Sequence, residues 1–306
     1  MPVSGLKARV KAQVESGLDR AAQSYLNEPY LQKIDFSAPA GEESFTGPDS
    51  IAWRIFKNPV SLYIGGITAV ILEFAEPRVR TGVWEHSSFR KNPVARMKRT
   101  GLAAMATVYG ARSQAASLIA TVNKMHGKIK GVTPGGVPYR ADDPDLLNWV
   151  QATASFGFIE AYSDYVCPLS DGERDQFYRE GGTAAALYGA TGAPRSLAEQ
   201  KALFATMQSK FEPSDIVFEF RELMRQAAAF PPPAHFIQRP FIRAAIDLVP
   251  QEIRDVLGLD QRYGLRPFER PVIKRMGKRA DRLALVSSPP ALACVRLGLP
   301  ADYLYR

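Results

Sequence analysis

Arg96, Thr100 and His126 are the side chains whose types and spacing suit chemistry. Arg96 and Thr100 lie one helical turn apart, so a cation and a hydroxyl share one helix face among apolar neighbours. Ala115, Leu118, Ile119, Val122, His126 and Ile129 recur at spacings of three and four, which puts the imidazole on the apolar side of a second helix. A fixed cation, a hydroxyl donor and a ring nitrogen able to bind a metal describe a pocket more than a plain core. The bland reading of the same residues is an arginine snorkelling from a core helix, a threonine bonded to its own backbone and a satisfied core histidine. Spacing alone leaves both readings open.

The elements that must position these residues are helical. Asn92-Pro93 reads as a helix start, since Asn caps free backbone donors and Pro at the first helical position loses no bond. Tyr109-Gly110 reads as an interruption, Ser113 as the cap of the second helix, and Gly131 as its end. The stretch VTPGGVPYRA has the Pro-Gly-Gly turn of a short hairpin, and Asp143-Pro144 starts the next helix. Ser170 with Glu173 and Ser196 with Glu199 fit capping boxes, while Ile216, Val217, Phe220, Leu223 and Met224 form an amphipathic stripe.

Upstream, the uncharged run from Asn58 to Leu72 contains Pro59 and Gly65-Gly66 and is followed by Pro77. It is shorter than the about 20 residues of a spanning helix and reads as a buried core helix or pocket wall. Residues 6–26 carry a weak helical stripe, 34–50 read as a loop, and Pro231-Pro232-Pro233 is a stiff connector. The expected fold is all-α: a single helical domain over 45–260 with one short β-hairpin, an N-terminal helical extension over 1–44 and a basic segment over 261–306 packed on it.

Composition removes several function classes. The three histidines, His86, His126 and His235, show no H-E-x-x-H spacing, and no spacing joins His86, His126 and Glu85 into an iron triad. No nucleophile elbow, P-loop or dinucleotide fingerprint is present. Cys167 and Cys294 form no metal or redox motif and read as reduced thiols packed as small hydrophobes. The amino terminus lacks an apolar signal-peptide core, so a cytoplasmic location is expected. The net charge of +8 concentrates in Arg262 to Arg282, with eight Lys/Arg against Glu269 and Asp281. A solvated surface is the first reading of that segment and peripheral membrane contact the second; nucleic-acid binding comes last, because no binding motif appears.

A haem needs one held axial ligand, an apolar slot and cations for its propionates, which a helical protein supplies without further motif. The order WEHSSF, NPVARMKRT, VYG, VNKMHGKIKG and YRADDPDLLNWV resembles the family of latex-clearing rubber oxygenases and MpaB-type endoplasmic-reticulum-bound oxygenases, over roughly residues 45 to 260. The resemblance implies a globin-like helical core holding haem b, which with dioxygen oxidises or cleaves a hydrophobic, unsaturated isoprenoid-like substrate. It implies that His126 is the proximal iron ligand and that Arg96 and Thr100 are the distal arginine and threonine; Arg96, Arg99 and His86 are further candidates to contact the cofactor. Two departures stand out. Arg99 replaces a lysine that can close off the iron, and its guanidinium stays protonated. Gln151 replaces a histidine that many members carry after the W-V tryptophan. The family's upstream glutamate has two counterparts here, Glu76 and Glu85, and His86 fits either a distal-side or a helix-capping role. His235 reads as peripheral. A haem- or ligand-binding protein without turnover and a metal-free interaction protein are the alternative functions.

Overall fold

The computed structural model describes residues 34–227, 229–230 and 234–306. The expected N-terminal stripe and the three-proline connector lie outside them. Thirteen α-helices are present among the described residues, with one two-stranded sheet. The sheet is the expected hairpin: β1 (Lys130–Val132) runs antiparallel to β2 (Pro138–Arg140), with Gly131 opposite Tyr139. The all-α expectation therefore holds.

Local chemistry sets the first helices. Ser50 caps α1 (Ile51–Phe56) at Trp53 N. Asn58 caps α2 (Pro59–Glu73), taking both Val60 N and Ser61 N at 3.1 Å. The uncharged run is thus α2, and it is apolar all round because it is covered nearly all round. On one side it crosses α6 (Pro144–Tyr165) so closely that a Cβ on Gly65 would stand 2.6 Å from the Gly157 carbonyl oxygen. On another it meets α10 (Gln238–Leu248), where the Thr68 hydroxyl lies 3.1 Å from Ala245 O. Each fully buried Ile or Leu along it contributes roughly 1.5–3 kcal/mol. No single helix among the described residues is long and apolar enough to cross a membrane; only α2 with α3 (Pro77–His86), bent by 114°, passes by length and composition.

Two hydrophobic clusters flank this crossing. One gathers Ile64, Phe74, Trp149, Phe220 and Phe241 around α2, α6, α9 (Asp215–Gln226) and α10. The other gathers Trp53, Tyr109, Leu118, Tyr162 and Phe177 around α1, α4 (Pro93–Tyr109), α5 (Arg112–His126) and α7 (Asp171–Leu187). Trp53 and Tyr109 meet edge to face at 4.9 Å and exchange bonds with backbone: Trp53 Nε1 donates to Val108 O and Tyr109 Oη to Trp53 O. The 34–50 loop is tied down by buried Arg296 of α13 (Pro289–Arg296), which donates to Phe36 O, Glu42 O and Ser44 Oγ.

Several local expectations hold and four need correction. Asn92 caps α4 at Ala95 N, Asp143 caps α6, and Ser170 with Glu173 makes a full capping box. Ser196 caps α8 (Leu197–Met207), but Glu199 accepts from Arg195 N instead of closing a box. Ser113 does not cap α5. It lies inside the first turn, where Glu42 of the loop accepts from both its backbone and its hydroxyl, and those bonds hold the Glu42 carboxyl below its ordinary value. Gly131 does not close α5 either; the helix ends at His126 with Gly127 as cap, and Gly131 belongs to β1. Cys294 is buried, whereas Cys167, one residue past the cap of α6, is exposed, so only one of the two thiols packs as a core hydrophobe.

Candidate functional site

The site forms where α2, α4 and α5 end or begin. His126 is the last residue of α5 and half-buried. Its stripe is buried at Ala115, Leu118 and Ile119 and only half-buried from Val122 on, because α5 emerges from between α4 and α7 toward its C-terminus. The ring Nδ1 is buried and has no hydrogen-bond partner among the described residues. Burial lowers the imidazole pKa, the positive charge of Arg96 lowers it further, and Asp142 opposes both. The ring is therefore neutral near pH 7, the form a metal ligand needs. Asp142 itself is gripped by Arg140 through two bonds of 2.9 and 2.8 Å.

Arg96 projects from the first turn of α4, half-buried, with its guanidinium 5.1 Å from the Phe89 ring centroid. Burial lowers its pKa and the carboxylate of Glu73 raises it. Glu73, the last residue of α2, is pushed up to about 7 by burial, with Arg96 acting against the shift. The charge of Arg96 thus acts on both His126 and Glu73.

Glu73 was missed by sequence reasoning. The signal was available: it is the charge that closes the uncharged run, and a carboxylate at the end of a helix faces the negative pole of its dipole, an unfavourable placement. The two glutamates that the sequence left open have other duties. Glu76 is buried as the cap of α3, accepting from Val79 N at 2.8 Å and Arg78 Nε at 2.6 Å. Glu85 bonds the phenol of Tyr139 and helps raise its pKa, after burial.

The remaining candidates lie around this group without joining it. Thr100 is exposed and its hydroxyl donates to Arg96 O at 3.1 Å. Arg99 donates to Ser88 Oγ. His86 is exposed at the end of α3, its Nε2 3.2 Å from Tyr139 Oη, which ties α3 to the hairpin. Gln151 donates to Ser155 Oγ at 3.3 Å, and His235 is exposed.

A haem asks for one neutral imidazole, an apolar wall and a nearby cation. The residues present fit these needs: a buried nitrogen on His126 without a hydrogen-bond partner among the described residues, half-buried Met97 and Val122 on the helices that carry Arg96 and His126, and Arg96 itself. Among the described residues no three His, Cys, Asp or Glu side chains gather in one place. Two surface clefts lie elsewhere. One of about 500 Å³ is bounded by Phe45 to Ser50 and by Gln176 and Arg179, and the other, of about 350 Å³, is on α12 (Glu269–Ala280).

The family described as ER-bound oxygenase mpaB/B'/Rubber oxygenase, catalytic domain, matches residues 53–278, a span that takes in Glu73, Arg96 and His126. No curated protein and no solved structure matches the chain. With most of its length matched, this chain belongs to the mpaB/rubber oxygenase catalytic-domain family, a family of oxygenases.

Proposed function

We propose that the protein is a haem b-dependent oxygenase that uses dioxygen to oxidise or cleave a hydrophobic, unsaturated isoprenoid-like substrate. The observation that carries this reading is the buried, unpartnered Nδ1 of a neutral His126 beside Arg96. An orphaned buried polar atom costs about 1–3 kcal/mol, and a bound group is one way a protein recovers it. His126 would hold the iron through its ring, and haem b would supply the redox centre at which dioxygen reacts.

The chain's own groups do the rest. Arg96, a cation in a half-buried setting, neutralises a carboxylate or stabilises negative charge that develops on an oxygen atom beside it. Glu73, titrating near neutrality, takes or returns a proton at its carboxyl oxygen. Met97 and Val122, half-buried on the helices that carry Arg96 and His126, offer apolar surface. The family's threonine role falls to Thr100, whose side chain must leave Arg96 O to reach a ligand.

Dioxygen uptake by the haem-loaded protein with a squalene-type polyene tests the reading. Uptake with formation of carbonyl products is expected, and Glu73→Gln should remove the limb of the pH profile near 7 while leaving haem content unchanged. Haem binding without uptake for any polyene would contradict an oxygenase. It would favour the second reading, a haem- or ligand-binding protein without turnover, for which the inward bond of Thr100 is the supporting observation.

A further inference from the structure

The eight Lys and Arg from Arg262 to Arg282 are divided by the fold. Arg262 closes on Asp260 at 2.6 Å, Arg270 pairs with Asp164 and Asp247, and Lys274 reaches Asp164 at 3.3 Å. Arg266 lies beside Glu269 and helps hold its carboxyl down. Arg275, Lys278, Arg279 and Arg282 are exposed, with no carboxylate in salt-bridge range among the described residues.

The packing of α12 explains the division. Ile273 is 1% exposed, and Gly277, one turn on, is pressed so close to Tyr165 O that a Cβ would collide with it. That face is fixed against the end of α6. The opposite face carries Phe268, Val272, Arg275, Lys278 or Arg279, and Arg282 at steps of three or four. Its start is apolar and bare: Phe268 is 86% exposed and Val272 57%. Its end surrounds the cleft of about 350 Å³ with Lys274, Arg275, Lys278, Arg279 and Arg282 and no acid.

We propose that this face of α12 docks the protein on a membrane surface rich in anionic phospholipid, with the four unpaired cations on the headgroup phosphates and Phe268 and Val272 entering the acyl boundary. Charge sets the sign of the partner. The apolar start sets its kind, because a phenyl ring gains cover from acyl chains and none from a phosphate-lined helix groove. Such docking brings the domain to the phase in which apolar molecules collect, and it stands whether or not the chain binds haem.

Cosedimentation of the full chain with phosphatidylcholine vesicles, with and without phosphatidylglycerol, tests the proposal. Binding is expected only with the anionic lipid and should fall steeply as salt rises. Each cation is worth about fivefold, so Arg275→Glu, Lys278→Glu and Arg279→Glu together should weaken binding about a hundredfold or more. Phe268→Ser should weaken it about tenfold without changing the salt dependence. All four positions are exposed; should the triple variant fold poorly, Phe268→Ser and the salt series still decide. Equal binding to both vesicles, no binding to either, or binding to duplex DNA in preference to anionic vesicles would overturn the proposal.

Discussion

The crossing of α2 with α6 and the corner where α2, α4 and α5 meet share one helix and differ in almost every other respect. At the crossing two glycines, Gly65 and Gly157, let backbones touch, and Ile64, Ile67, Thr68 and Thr153 are all essentially without exposure. At the corner the same α2 ends in Glu73, and Arg96, His126, Met97 and Val122 are all half-buried. The His126 Nδ1 there has no partner among the described residues. The crossing is packed without room to spare, whereas the corner keeps polar groups half-buried, a cost in stability that often accompanies a site.

The largest effect that should sharpen this contrast is Gly157→Ala. Backbone meets the added Cβ directly, so the helices must separate, and a loss of about 3 kcal/mol or more is expected in urea unfolding. A loss under 1 kcal/mol would mean that the crossing is looser than its geometry implies.

Glu73→Gln should act in the opposite direction. Glu73 has its carboxyl raised from 4.5 to about 7, so the folded chain binds the proton more tightly than the unfolded chain. The stability linked to this group is fully present below pH 4.5 and is lost as pH rises through about 7. In cofactor-free protein the substitution should be neutral in acid and stabilising by up to about 3 kcal/mol above pH 7. An identical pH dependence in variant and parent would remove Glu73 from the corner. Thr100→Ala should have the smallest effect, within about 0.5 kcal/mol, since the side chain is exposed and bonded only to its own helix.

What was legible in the sequence follows the same division. Caps at Asn92, Asp143 and Ser170 and the Pro-Gly-Gly hairpin are decided by a few neighbouring residues, and they were readable. Contacts between distant segments were not. Ser113 reads as a cap until Glu42 arrives from a loop 71 residues away. Glu73 becomes notable only once the fold buries it within reach of the charge of Arg96, and Gly65 only once Gly157 lies across it. The periodicity that puts His126 on the buried face holds through Ile119; beyond it Val122 and His126 are only half-buried and Ile129 lies past the end of α5, because a helix face does not say where the protein ends. Residue type and spacing single out Arg96 and His126 without deciding between site and core, and the family resemblance gives them roles; the buried carboxyl of Glu73 that Arg96 acts on emerges only with the fold.

Haem titration into the purified chain and into His126→Ala, with the Soret band and far-ultraviolet dichroism followed together, tests the central claim most directly. The parent should bind haem with a histidine-ligated spectrum. The variant should keep its helical fold, with stability within about 1 kcal/mol because only a half-buried, unpartnered ring is lost, and should lose that spectrum. A parent that binds no haem, or a variant whose haem spectrum and affinity match the parent's, would contradict the account.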